Sequence, residues 1–227
     1  MALASDGNLY GATAGGASST CYLGCGTIFR LKTDGTFTVL YAPVRGEAIA
    51  SSFIDKQASD GNFYGPCYGF ATSGPPGVCR ITTSGQVTPI FQYPSGRWPW
   101  SVALGSDGFL YGVDTDPQQT VLQAVFQLST SGSYKELHQT GGCTPKTGCS
   151  TVMQASDGNL WVANQRAYSV YSITPTGTLL QTVNFYGSCC GSRPQFVIQA
   201  SSGILYGTTH GSYGTVFSIN AGLPPPK

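Results

Sequence analysis

Short runs of β-branched and aromatic residues, each closed by Gly, Asp, Ser or Pro, recur along the chain and predict strands. They are clearest between 159 and 200, where Asn159–Ala163, Ser169–Thr174, Thr178–Tyr186 and Gln195–Ala200 read as four successive strands. We label the strand positions a, b, c and d, so that these are b, c and d of one unit and a of the next. The pattern then repeats. Ser5-Asp6-Gly7-Asn8-Leu9-Tyr10-Gly11 returns at Ser59, Ser106, Ser156 and Ser201, and the second positions 6, 60, 107, 157 and 202 lie 54, 47, 50 and 45 residues apart. A second motif keeps step with the first: Gly26-Thr27-Ile28-Phe29-Arg30-Leu31 recurs as Gly77–Ile81, Ala124–Leu128, Ser169–Ile173 and Gly214–Ile219.

Both inter-strand turns carry hairpin chemistry: Ser-Asp-Gly between a and b, and Thr33-Asp34-Gly35, Thr83-Ser84-Gly85, Thr130-Ser131-Gly132 or Pro175-Thr176-Gly177 between c and d. In each, a short polar side chain bonds the local backbone and Gly supplies positive φ. Strands b and c are apolar on both faces, so both faces must be covered. Four-stranded sheets of this length, stacked face to face, predict an all-β fold, a five-bladed β-propeller with about 45–54 residues per blade. A single domain is expected over 1–223, with blades at 1–47, 48–97, 98–145, 146–192 and 193–223. Residues 224–227 are expected as a Pro-rich linker or tail. The last blade lacks a strand d, because Leu223-Pro224-Pro225-Pro226 makes a poor ladder strand. This pattern predicts a domain cut from a longer protein.

The run S-D-G-N-[LF]-Y-G, then G-T-[VI]-F-x-[IL], then the T-x-G turn resembles the GloVer tandem repeat of extracellular bacterial proteins, over nearly the whole chain. Copy four departs with Trp161-Val162-Ala163, and copy five with Ser202 and Ile204. The resemblance implies a secreted or surface-displayed propeller and no defined reaction, so it carries no catalytic residue over.

Composition narrows the partners. With 11 Lys+Arg, 10 Asp+Glu and charged residues at only 9%, the chain carries no electrostatic footprint for nucleic acid. No stretch has the length of an apolar membrane span, and Met1–Asp6 has no signal-peptide core, so no membrane insertion is expected. Eight Cys in a Gly/Ser/Thr/Tyr-rich background point to an oxidising, extracellular setting.

In an up-down meander the b–c and d–a loops share one end of the propeller, and the unusual residues gather there. Variable loops on a rigid scaffold commonly carry function. Cys21, Cys25, Cys67, Cys79, Cys143, Cys149, Cys189 and Cys190 all lie in or beside these loops. Local bridges such as Cys67–Cys79 and Cys143–Cys149 are the simpler reading, since the spacings do not match a four-thiolate zinc site. Cys189-Cys190 are either a vicinal pair or partners of separate loops.

The repeated Asp of Ser-Asp-Gly reads as turn chemistry. Of the other acids, Asp114 and Asp116 form a pair at the end of strand b, which reads as a solvated loop or as a weak calcium site; otherwise no cofactor or metal is expected. Asp55, beside Lys56, falls in an a strand, the strand that commonly lines a propeller channel, and a charge there needs a partner or water. Glu47 sits beside Arg45. If the protein were an enzyme, Asp114, Asp116, Asp55 and Glu47 would be the carboxylates that cut a glycan. No Ser-His-Asp, H-E-x-x-H or phosphate-loop pattern occurs. Trp98-Pro99-Trp100, with Tyr68, Asn164, Arg166, Arg193 and His210, offers the other chemistry: aromatic faces for sugar C–H groups and polar groups for hydroxyls. The reading is an extracellular module binding a glycan or other cell-surface ligand through its loop face. A glycan-cleaving enzyme is the alternative, and a scaffold that adds strands at its incomplete blade is a third.

Overall fold

The computed structural model describes residues 1–13, 26–43, 48–49, 55–69, 74–94, 97–115, 123–140, 151–185, 192–211 and 214–226. It is all-β, a five-bladed β-propeller. Blade one comprises β1 (Ala2–Leu3), β2 (Leu9–Thr13), β3 (Thr27–Leu31) and β4 (Phe37–Tyr41). Blade two comprises β5 (Ala48–Ile49), β6 (Phe63–Gly69), β7 (Gly74–Ile81) and β8 (Val87–Gln92). Blade three is built of β9 (Trp98–Leu104), β10 (Leu110–Thr115), β11 (Gln123–Leu128) and β12 (Tyr134–Thr140). Blade four follows with β13 (Thr151–Gln154), β14 (Leu160–Asn164), β15 (Ser169–Ile173) and β16 (Leu179–Asn184). Blade five has three strands, β17 (Arg193–Gln199), β18 (Leu205–His210) and β19 (Thr215–Ile219). Every sheet is an antiparallel meander in chain order.

The Ser-Asp-Gly turn explains the rest of its motif. Asp6 accepts from the Asn8 amide N–H (3.0 Å) and from the Tyr10 hydroxyl (2.8 Å). Asp60 takes the Tyr64 hydroxyl (2.6 Å) and Asp107 that of Tyr111 (2.7 Å) in the same way. A tyrosine four residues past the Asp therefore buries its ring between blades while its hydroxyl stays satisfied on its own turn. The Asn8 hydrogen bonds hold the Asp6 carboxyl below the usual carboxylate value. Burial works against Asp60, yet the Tyr64 and Asn62 hydrogen bonds bring it down too. Burial, then the bond to Asp107, pushes Tyr111 up to about 12.

Each interface joins the front of one blade to the back of the next. Tyr10 and Ile28 meet Phe63, Cys79 and Ile81; Tyr64 and Val78 meet Leu110, Phe126 and Leu128. Tyr111 and Val125 meet Leu160, Tyr171 and Ile173, and Trp161 and Val170 meet Leu205. Cys67 and Cys79 are disulfide-bonded on the back of blade two, with Cα atoms 5.8 Å apart, inside the first of these cores.

Two polar devices fasten the blades. A Gln just ahead of the a–b turn accepts from the Ser N–H of the previous blade's turn: Gln57 from Ser5 (2.7 Å), Gln154 from Ser106 (2.7 Å) and Gln199 from Ser156 (2.8 Å). Gln57 does so although residues 55–58, expected as strand a with Asp55 in it, are not a strand, since strand a of blade two is only Ala48–Ile49. On the outer strand, the pairing register of β4, β8 and β12 slips by one residue at Leu40, Ile90 and Leu137. The c–d turn glycine of the following blade abuts each of these carbonyls. A Cβ on Gly85, Gly132 or Gly177 would fall 2.5, 2.3 or 2.0 Å from the carbonyl oxygen of Leu40, Ile90 or Leu137.

The residues after β19 do not run on as a strand. Ala221 and Leu223 pack on the core between blades four and five, and the Pro224 carbonyl accepts from Gln199 Nε2 (3.0 Å).

Candidate functional site

The a strands of blades three to five line an open cavity of about 930 Å³. β9, β13 and β17 form most of its wall, Asp55 and Lys56 of blade two add charges of opposite sign, and Pro226 of the tail reaches it. The cavity takes its character from two β-bulges in one register. In β9, Val113 opposes Ser101 while Asp114 opposes Pro99, which leaves Trp100 as the extra residue. In β17, Thr208 opposes Phe196 while Thr209 opposes Pro194, which leaves Gln195 as the extra residue. A bulge re-aims a side chain without ending the strand. Trp100 and Gln195 both line the cavity, flanking Thr151 of β13, whose hydroxyl donates to the Gln195 carbonyl (2.8 Å). Phe196, Ile198 and Met153 make the wall apolar, while the amides of Gln154 and Gln199 on it are spent on the neighbouring blade's turn, on Gly158 and on Pro224 of the tail.

Further rings lie outside the cavity's lining. Tyr68, at the end of β6, lies 5.5 Å from Trp98 between ring centroids and donates its hydroxyl to the Pro99 carbonyl (2.9 Å). Burial pushes this tyrosine up to about 12. Across blades four and five, the Arg193 guanidinium sits 5.9 Å over the Tyr168 ring, a cation–π contact. His210 is exposed and pairs with Arg193 in register. Arg166 is exposed beside Tyr168, and Asn164 is buried with its Oδ1 accepting from the Arg166 and Ala167 N–H groups (3.1 and 3.0 Å). That amide oxygen holds the backbone of the loop that follows.

Asp114 is neither in a solvated loop nor on the cavity. It lies fully buried on the back of β10, against blade two, where Arg97 Nη2 pairs with one oxygen (2.6 Å) and the Tyr134 hydroxyl donates to the other (2.8 Å). Arg97 also pairs with Glu136 (3.0 Å). Burial raises the Asp114 carboxyl above its ordinary value, against the pull of Arg97. Both oxygens being engaged, this carboxylate works as an interface group. Asp116, Glu47, Cys21, Cys25, Cys143, Cys149, Cys189 and Cys190 lie outside the described residues. Among the described residues no group of three metal-ligating side chains comes together.

Sequence reasoning missed the amides and Arg97. One signal was available for Gln195: Trp98-Pro99-Trp100 aligns with Arg193-Pro194-Gln195, so both third positions share the bulge.

A family model, the Gloeobacter/Verrucomicrobia repeat, matches residues 1–169. The chain belongs to this family. No curated protein sequence matches this GloVer-repeat chain. Among solved structures it is similar to virginiamycin B lyase from Staphylococcus aureus, at 19% identity and TM-score 0.64, covering 97% of this chain and 66% of that one. A gluconolactonase from Xanthomonas campestris matches at 16% identity and TM-score 0.59, covering 99% of this chain and 70% of that one. A calcium-binding regucalcin from Agrobacterium tumefaciens matches at 14% identity and TM-score 0.57, covering 88% and 65%. At these identities the likeness is one of fold. The GloVer-repeat chain spans about two thirds of the length of these structures.

Proposed function

We propose that this GloVer propeller is an extracellular binding module for an uncharged glycan, taken into the open cavity. The observation that carries this reading is Trp100, turned by its bulge onto a cavity of about 930 Å³ among amide and hydroxyl groups. An indole face packs against sugar C–H groups, while the Gln195 amide beside it can donate to and accept from hydroxyls. Asp55 and Lys56 balance in charge, which suits a neutral ligand. The Tyr68–Trp98 pair extends the aromatic surface outward. The Cys67–Cys79 bridge and the family resemblance support an oxidising location.

A second reading rests on Asp55. It is a carboxylate on the cavity wall, and the structural relatives include a lyase and a gluconolactonase. The two readings separate in one experiment, in which neutral polysaccharides are tested for binding and for release of reducing ends. Binding that is lost in Trp100→Ala, with the thermal midpoint unchanged and no ends released, supports the module. Release of ends abolished by Asp55→Asn transfers the function to the enzyme. Binding that survives Trp100→Ala overturns the cavity as the site.

A further inference from the structure

The same repeat position is buried in four blades and open in the last. Ile28, Val78, Val125 and Val170 are each 0% exposed, whereas Val216 of blade five is 76% exposed. Tyr10, Tyr64, Tyr111 and Trp161 are buried, whereas Tyr206 is 39% exposed. The front of blade five is thus an apolar face of the kind that every other blade covers with a neighbour.

Blade one mirrors it. Phe63, Leu110, Leu160 and Leu205 are all 0% exposed on the backs of their blades, while the corresponding Leu9 is half-buried. Leu3 at 67% and Phe37 at 57% continue this uncovered back. Gly35 gives independent testimony: Gly85, Gly132 and Gly177 abut a preceding blade's carbonyl, but a Cβ on Gly35 would meet nothing within 4 Å. Among the described residues, none of the four cores joins blade five to blade one. Among the described residues β19 also has no fourth strand on its outer edge, and an unpaired edge is a template for another strand.

We propose that these two end faces are interfaces for further blades of the same repeat, which close the ring. The chemistry of the occupant follows from the four interfaces already made: a front with Tyr and a β-branched residue must meet blade one, and a back with paired Leu, Ile or aromatic residues must meet blade five. The five blades occupy 65–70% of the length of the propellers described above, which leaves room for about two more blades, within the usual range of blade number.

The test has two parts. The 227-residue chain, studied by sedimentation and by an apolar fluorescent dye, is expected to be monomeric and to bind dye, and Val216→Asp or Phe37→Asp is expected to reduce dye binding without lowering the thermal midpoint. A dye-silent chain, or one whose faces are buried in a dimer, overturns the proposal, the dimer in favour of a second copy. In the second part a duplicate of residues 98–196 is joined ahead of Met1, adding two blades and a full first strand to blade one. The extended chain is expected to melt higher and bind less dye, and Phe37→Asp within it is expected to erase the gain. Added repeats that proteases trim away from an unchanged five-blade core count against the proposal.

Discussion

Asp60 and Asp114 show how one residue type does opposite work in one fold. Asp60 is held ionised by Tyr64 and Asn62, and its folded pKa falls below 3.8 despite partial burial. Such a group contributes stability that is present above the unfolded value and is lost as pH falls through the folded value. Asp60→Asn removes this dependence, and Asp6 and Asp34, lowered in the same direction, remain in both chains and cancel in a comparison. The gap in thermal midpoint between parent and Asp60→Asn is therefore expected to narrow as pH drops below about 4. An equal gap at pH 7 and pH 2 would contradict this account. Asp114 behaves in the reverse sense, because burial raises it, so its contribution favours low pH and declines as pH rises above 3.8. The turn role of the repeated Asp was legible because four of the five copies carry it at the same place between Ser and Gly. The burial of Asp114 was not, since nothing local shows that Arg97, Tyr134 and the back of a neighbouring blade converge on it.

Strands and their order were readable from composition and period, and β14 to β17 fall within two residues of the runs that predict them. The bulges were not readable, because a slip of one residue in pairing leaves only a faint trace in a single strand. They nevertheless decide what the element does: the slips in β9 and β17 furnish the cavity, and those in the outer strands receive the next blade's turn. The turn glycines make this testable. Gly132 has φ +95° and stands where a Cβ would meet the Ile90 carbonyl, whereas Gly35 has φ +85° and open space. Gly35→Ala incurs only the left-handed backbone cost of about 1 kcal/mol. Gly132→Ala must in addition push two blades apart, and is expected to lose at least about twice as much in chemical denaturation. Equal losses would show that the turn does not key the interface.

At the scale of the molecule, the propeller is a chain of nearest-neighbour interfaces, so the worth of a residue depends on whether its blade has a neighbour on that side. Val125 and Val216 occupy the same place in the repeat, in β11 and β19, and differ in exposure from 0% to 76%. Truncating Val125 to Ala empties a packed site between blades three and four, at a cost of about 2 kcal/mol from lost transfer energy and cavity. Val216→Ala in the same chain removes methyl groups that already touch water, and is expected to change stability by less than about 0.5 kcal/mol. Urea denaturation of both variants measures the difference directly, with slopes checked for a shared two-state transition. Equal costs would mean that the front of blade five is covered in solution, and would place the two ends of the propeller in contact with one another or with a second copy. Unequal costs would mean that sequence periodicity alone, which makes the two valines equivalent, reads the blade correctly and leaves the neighbour to be found from structure.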